Sequence, residues 1–159
     1  GAIAQLERLC EVFYKSADAS ERKEAERQLL VLQSSTQYVP QILDVLKTST
    51  SNYALLIAST SLAGLLGKNT MAAEERSEIR LFVMNFLMAR GADVEAFARA
   101  SLLKLVARMT KQGWFDGSRQ IVEEASKLYG QSAELCAVAL QLLCSVVEEF
   151  NSNSSRGDP

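Results

Sequence analysis

Apolar residues recur at three- and four-residue spacing along almost the whole chain, and no stretch alternates as a half-buried strand would, so the pattern predicts an all-α protein. Ile3, Leu6, Leu9, Cys10 and Phe13 form a narrow stripe that leaves Glu7, Arg8, Glu11 and Lys15 to solvent. Asp18 and Ser20 then offer capping oxygens, and Glu21, Glu24 and Glu26 put negative charge early in a second helix over residues 20–33, whose buried line is Ala25, Leu29 and Leu32. Pro40 fits the first turn of a third helix, followed by Ile42, Leu43, Val45 and Leu46. Asn52 is expected to cap a fourth, reaching residue 67. A fifth over 73–90 turns Ile79, Phe82, Val83, Phe86 and Leu87 inward and closes at Gly91. Asp93 is expected to cap the sixth, with Phe97, Leu102, Leu105, Val106 and Met109 toward its neighbours. A seventh over 118–129 stops at Gly130, and an eighth covers 132–150.

The first helices of successive pairs begin near residues 3, 38, 73 and 118. That period of about 35 to 45 residues is the spacing of helix-pair solenoids. The expected architecture is an α-solenoid of about four HEAT-type antiparallel helix pairs, over residues 3–34, 37–67, 73–112 and 118–150, with 151–159 a flexible polar tail. The last helix carries Leu135, Val138, Leu140, Leu142, Leu143, Val146, Val147 and Phe150, a face too broad for one preceding pair to cover. From this the chain is expected to be the N-terminal piece of a longer stack.

The stretch "TKQGWFDGS" holds the only tryptophan. Gly113 can end the sixth helix, Asp116 or Ser118 can cap the seventh, and Trp114 and Phe115 can cover the apolar seam between pairs, so this turn is expected to be structural.

Composition narrows the chemistry. The 159 residues are 48% apolar and 23% charged, with a formal net charge of -2, which argues against a nucleic-acid binder. There is no histidine, which removes Ser/His and Cys/His catalytic pairs and most zinc and iron sites. Cys10, Cys136 and Cys144 are odd in number, lack CxxC spacing, and are each expected to be small buried hydrophobes of a reduced protein. Residues 48–67 carry no charge, but they open on serines, threonines and asparagine, so a helix buried in protein is expected there and no membrane insertion. Glu74/Glu75, Glu123/Glu124 and Glu148/Glu149 are adjacent pairs, which point about 100° apart on a helix and read as solvated faces. "GLLGKNT" has two residues between its glycines where a phosphate loop needs four. The tail's Arg156-Gly157-Asp158 and Asn153-Ser154-Ser155 are tripeptides of the length that chance supplies. No catalytic residue, cofactor or metal site is expected.

Residues 22–69, "RKEAERQLLVLQSSTQYVPQILDVLKTSTSNYALLIASTSLAGLLGKNT", resemble the importin-β N-terminal domain of nuclear transport receptors. Ala25, Glu26 and Leu29 match its "AExxL" helix, a short helix ending in "IL" follows, and Ala58, Leu62, Lys68 and Asn69 match its apolar helix and closing Lys-Asn pair. "ARMTKQGWFD", "AQLERLCEVFY" and "SAELCAVALQLL" are similar to the exportin seven group, extending the resemblance from Ala4 to about Asn151. Leu30 and Val31 depart from the pattern by lengthening the apolar run of the second helix.

The resemblance implies a non-catalytic karyopherin fragment that binds Ran in its GTP state, shuttles between nucleus and cytoplasm, and meets cargo proteins and nucleoporins through the full-length receptor. In that family the second helix of each pair lines the concave surface. The residues it suggests for Ran contact are Lys23, Arg27, Tyr53, Ser59, Arg99 and Arg108. The alternative is a HEAT-repeat scaffold or adaptor, whose partners bind whatever the nucleotide state.

Overall fold

The computed structural model describes residues 1–68, 70–116 and 120–152, and Asn69, Gly117, Ser118, Arg119 and the tail from Asn153, with its two tripeptides, lie outside the described residues. Among the described residues there are eight α-helices and no strand, grouped in two compact units, 1–71 and 72–159.

In the first unit, α1 (Ala2–Lys15) packs on α2 (Ala19–Leu30), α3 (Val39–Thr48) packs on α4 (Asn52–Gly67), and α1 also meets α4. α4 has no charged residue and is apolar all round, which is the composition of a helix enclosed by protein. Leu55, Leu62 and Leu65 are fully enclosed, and even Ser59 and Ser61 are buried. Between α1 and the α3–α4 turn, the buried Ser49 hydroxyl donates to Glu7 at 2.5 Å.

Asp18 caps α2 as expected, accepting from the backbone N–H of Ser20 at 2.8 Å and of Glu21 at 3.4 Å. The Ser20 hydroxyl and these N–H groups hold its carboxyl below the ordinary carboxylate range. A carboxyl held below its unfolded value contributes stability that is fully present above the ordinary range and is lost as pH falls through the folded value. Asp18→Ala is therefore expected to lower the urea midpoint at neutral pH and to differ progressively less from the parent on acidification, which paired denaturation curves at the two pH values will show.

Several boundaries differ from the sequence expectation. α2 stops at Leu30 because the chain tightens into a 3₁₀ turn, Val31–Gln33, whose entry is marked by a Val31 N–H pointing at the carbonyls of Gln28 and Leu29. Ser51, not Asn52, caps α4, its hydroxyl accepting from Ala54 N–H at 3.3 Å. At the far end of α4, Gly64 admits the Gln33 side chain so closely that a Cβ there would lie 2.2 Å from Gln33 Oε1, and Lys68 Nζ donates to the Gln33 carbonyl.

In the second unit, α5 (Ala73–Arg90) packs on α6 (Ala96–Gln112), α7 (Ile121–Tyr129) packs on α8 (Ala133–Asn151), and α6 runs against α8. Asp93 does not cap α6: it falls in a 3₁₀ turn, Gly91–Asp93, and Glu95 takes the cap position with no side-chain bond. Gly91, Gly113 and Gly130 do end helices, with negative φ rather than in the left-handed region. α7 begins at Ile121, and Gln120 holds its cap position without a side-chain bond, while Ser118, the other expected cap, lies outside the described residues. Phe97, expected inward, is 40% exposed, since Ala98 and Leu102 take the buried line of α6.

Glu124, expected on a solvated face, is paired. Arg80 of α5 donates from Nη2 to Glu124 Oε1 at 2.7 Å, from Nη1 to Oε2 at 3.0 Å, and from Nε to Thr110 Oγ1 of α6 at 2.9 Å. Thr110 in turn donates to the Val106 carbonyl at 2.8 Å. One guanidinium thus joins three helices, with the Arg80 side chain 5% exposed and that of Glu124 14%.

Candidate partner-binding surface

The residues suggested for partner contact do not form one constellation. Lys23 and Arg27 lie four apart on α2 and share a face, both exposed. Arg27 is committed locally: it grips Glu24 from Nε at 2.9 Å and Nη2 at 2.6 Å, and with Gln28 Nε2 it holds the Glu24 carboxyl down to about 2. Tyr53, half-buried at the start of α4, stacks on Tyr14 with ring centroids 4.9 Å apart, and Lys15 Nζ lies 5.3 Å from its centroid. Phe13 meets Tyr14 at 4.7 Å, completing an aromatic cluster on α1 and α4. Burial pushes the Tyr14 phenol above its ordinary value, helped by Cys10 and Tyr53, so it stays neutral.

Ser59 is 1% exposed, which removes it as a surface contact, because small residues are what let the enclosed α4 approach its neighbours. Arg99 is a strut: Nη1 donates to the Val94 carbonyl at 2.8 Å and the Gly91 carbonyl at 3.2 Å, and Nε to Gln141 Oε1 of α8 at 3.2 Å. Arg108 is half-buried nine residues further on, half a turn round α6 from Arg99, so the two do not share a face.

Trp114 stands edge-on to Phe150 of α8 with centroids 5.1 Å apart. Lys111 adds to the same corner, donating from Nζ to the Glu149 carbonyl at 3.0 Å and lying 5.9 Å from the Phe150 ring. Phe115 covers little, being 86% exposed. Phe150→Ala is expected to cost about 1 kcal/mol, the worth of an edge-to-face pair. Because Trp114 is the only tryptophan, its emission should shift in the same variant; an unchanged spectrum would mean the ring contact is not made.

The cysteines do not share one environment: Cys10 is enclosed, Cys136 is half-buried and Cys144 is exposed, so the uniform expectation fails for the last two. Burial, with Glu11 and Glu7 nearby, pushes the Cys10 thiol up to about 12, which makes it an inert packing group. Among the described residues no group of histidine, cysteine and acidic side chains could hold a metal, and no helix is long and apolar enough to cross a membrane.

Two features escaped the sequence pattern. Arg80 within an apolar run was the signal for a buried partner. Glu26, legible only as early helix charge and as part of the "AExxL" match, gave no sign that it lines a cleft.

The importin-β N-terminal domain matches residues 25–89, which cover α3, α4, the second half of α2 and nearly all of α5. The match takes in about two fifths of the chain as an importin-β N-terminal domain. Members of that family are HEAT-type helical solenoids, and the paired helices here are of that class. The chain is similar to Exportin-7-A of Xenopus laevis, 30% identical over 158 residues, to Ran-binding protein 16 of Drosophila melanogaster, 33% over 156, and to Ran-binding protein 17 of Mus musculus, 31% over 157. Each similarity takes in 94% of this chain and 14% of the relative, so the chain spans about one seventh of the length of these curated relatives.

Proposed function

We propose that the chain is the N-terminal Ran-GTP-binding segment of a nuclear transport receptor of the exportin seven group. It is a binding module without chemistry of its own, built as four repeats over residues 3–34, 37–67, 73–112 and 118–150. The observation that carries this is the similarity of nearly the whole chain to proteins named exportin and Ran-binding protein, around an importin-β N-terminal domain. Cargo proteins and nucleoporins engage the full-length receptor, which shuttles between nucleus and cytoplasm.

The open side of the α7–α8 pair supports a place within a longer stack. Val122 and Tyr129 on α7 and Leu140 and Val147 on α8 are each at least half exposed, an apolar set suited to a following helix pair.

Titration of the chain against Ran loaded with a non-hydrolysable GTP analogue, and in parallel with GDP, tests the reading. Selective binding of the GTP form is expected. Equal binding to both forms points instead to a scaffold indifferent to nucleotide.

A further inference from the structure

Between the last turn of α1, the outer face of α2 and the middle of α4 lies a cleft of about 200 Å³, room for one long side chain rather than for a folded element. Its walls are apolar and aromatic, chiefly Phe13, Tyr14, Leu30 and Ile57. Three polar residues line it as well: Glu26, Gln33, whose amide oxygen rests near Gly64, and Ser61. None of these three side chains has a hydrogen-bond or ion-pair partner among the described residues. Thr60, beside them, is satisfied, donating to the Ile57 carbonyl at 3.1 Å.

Ser61 is the most informative of the three. It is 2% exposed, yet among the described residues no fully occluded side-chain nitrogen or oxygen lacks a partner. The little surface it retains is therefore at its hydroxyl, which lines the cleft. A polar group this deep is normally bonded, so its open valence points to a ligand. Of the cations one helical turn from Glu26, Arg22 donates from Nη1 to the Ser16 carbonyl at 2.6 Å and the exposed Lys23 makes no ion pair with it.

We propose that this cleft receives one arginine side chain presented by a protein partner. A carboxylate, an amide oxygen and a hydroxyl set around an aromatic wall all accept hydrogen bonds, and a guanidinium offers five N–H donors in a plane that also stacks on rings. Lysine, a compact point charge, would use fewer of these acceptors. The partner is a protein because the cleft is edged by apolar surface: Leu30, which lines it and is 49% exposed, and its chain neighbour Val31, 42% exposed, give flanking residues of a partner chain something to cover. The inference is independent of the GTPase reading.

The test uses the full chain and small probes, so that its failure is separate from failure of Ran to bind. N-acetyl-arginine amide and N-acetyl-citrulline amide, its uncharged analogue, are titrated while amide resonances are followed by NMR. Saturable shifts at Phe13, Tyr14, Glu26, Gln33 and Ser61 with the arginine probe, at least about fivefold weaker with citrulline and about fivefold weaker in Glu26→Gln, are expected for an ion pair at a half-open site. Glu26 is exposed, so its variant keeps the fold, which its own spectrum verifies. Equal response to both probes, shifts spread over other acidic residues, no shift at tens of millimolar, or an unchanged affinity in Glu26→Gln would each overturn the proposal.

Discussion

Replacing Arg80 by methionine is expected to remove about 3 kcal/mol of stability, because it strands the Glu124 carboxylate in a site where that side chain is 14% exposed. Losses on breaking a buried pair run to about 5 kcal/mol when the orphan is fully enclosed, and the residual exposure of Glu124 places this one at the lower end. A domain holds only about 5–15 kcal/mol in total, so the variant should unfold at a markedly lower urea concentration. Glu124→Leu alone should cost a similar amount by stranding the guanidinium, although Thr110 still accepts from Nε. The double variant, with both charges gone and the volume kept, should recover most of the loss. Urea curves for the four proteins close the cycle, and single losses under about 1 kcal/mol would show that the pair is not desolvated.

Leu62→Ala should be the most damaging of the simple truncations in the first unit, at about 3 kcal/mol. Leu62 is 1% exposed on a helix enclosed by α1, α3 and the Val31–Gln33 turn, where backbone cannot collapse into the space left. Leu30→Ala removes the same atoms from a side chain 49% exposed and should stay within about 0.5 kcal/mol. Near-equal shifts in the two urea midpoints would contradict the burial pattern.

The periodicity of apolar residues was enough to place every helix, because helices packed on one side must repeat their buried positions at three and four. It failed where the stopping signal was not a residue type. α2 ends at Leu30 through a change of hydrogen-bond register in an unbroken apolar run, and no side chain announces it. Caps were mistaken by one or two positions at Asn52 and Asp93, since both have capping chemistry and only geometry decides which neighbour the turn presents. The contact surface was the least legible part. Choosing exposed-looking polar residues cannot distinguish Arg99, bound to two carbonyls, or Ser59, enclosed in α4, from a side chain free to meet a partner. The cleft at Glu26 depends on which acid is left over after its neighbours pair, and that is decided in three dimensions.

The bond from Ser49 to Glu7 has a bearing on the order in which the first unit can assemble. It spans 42 residues, and its donor lies in the turn that joins α3 to α4. α1 can associate with α2 as soon as both are made, but its polar anchor does not exist until the second hairpin has formed. α1 is thus locked only once α3 and the turn into α4 are in place, and during synthesis it must wait, half docked, for a partner still to come.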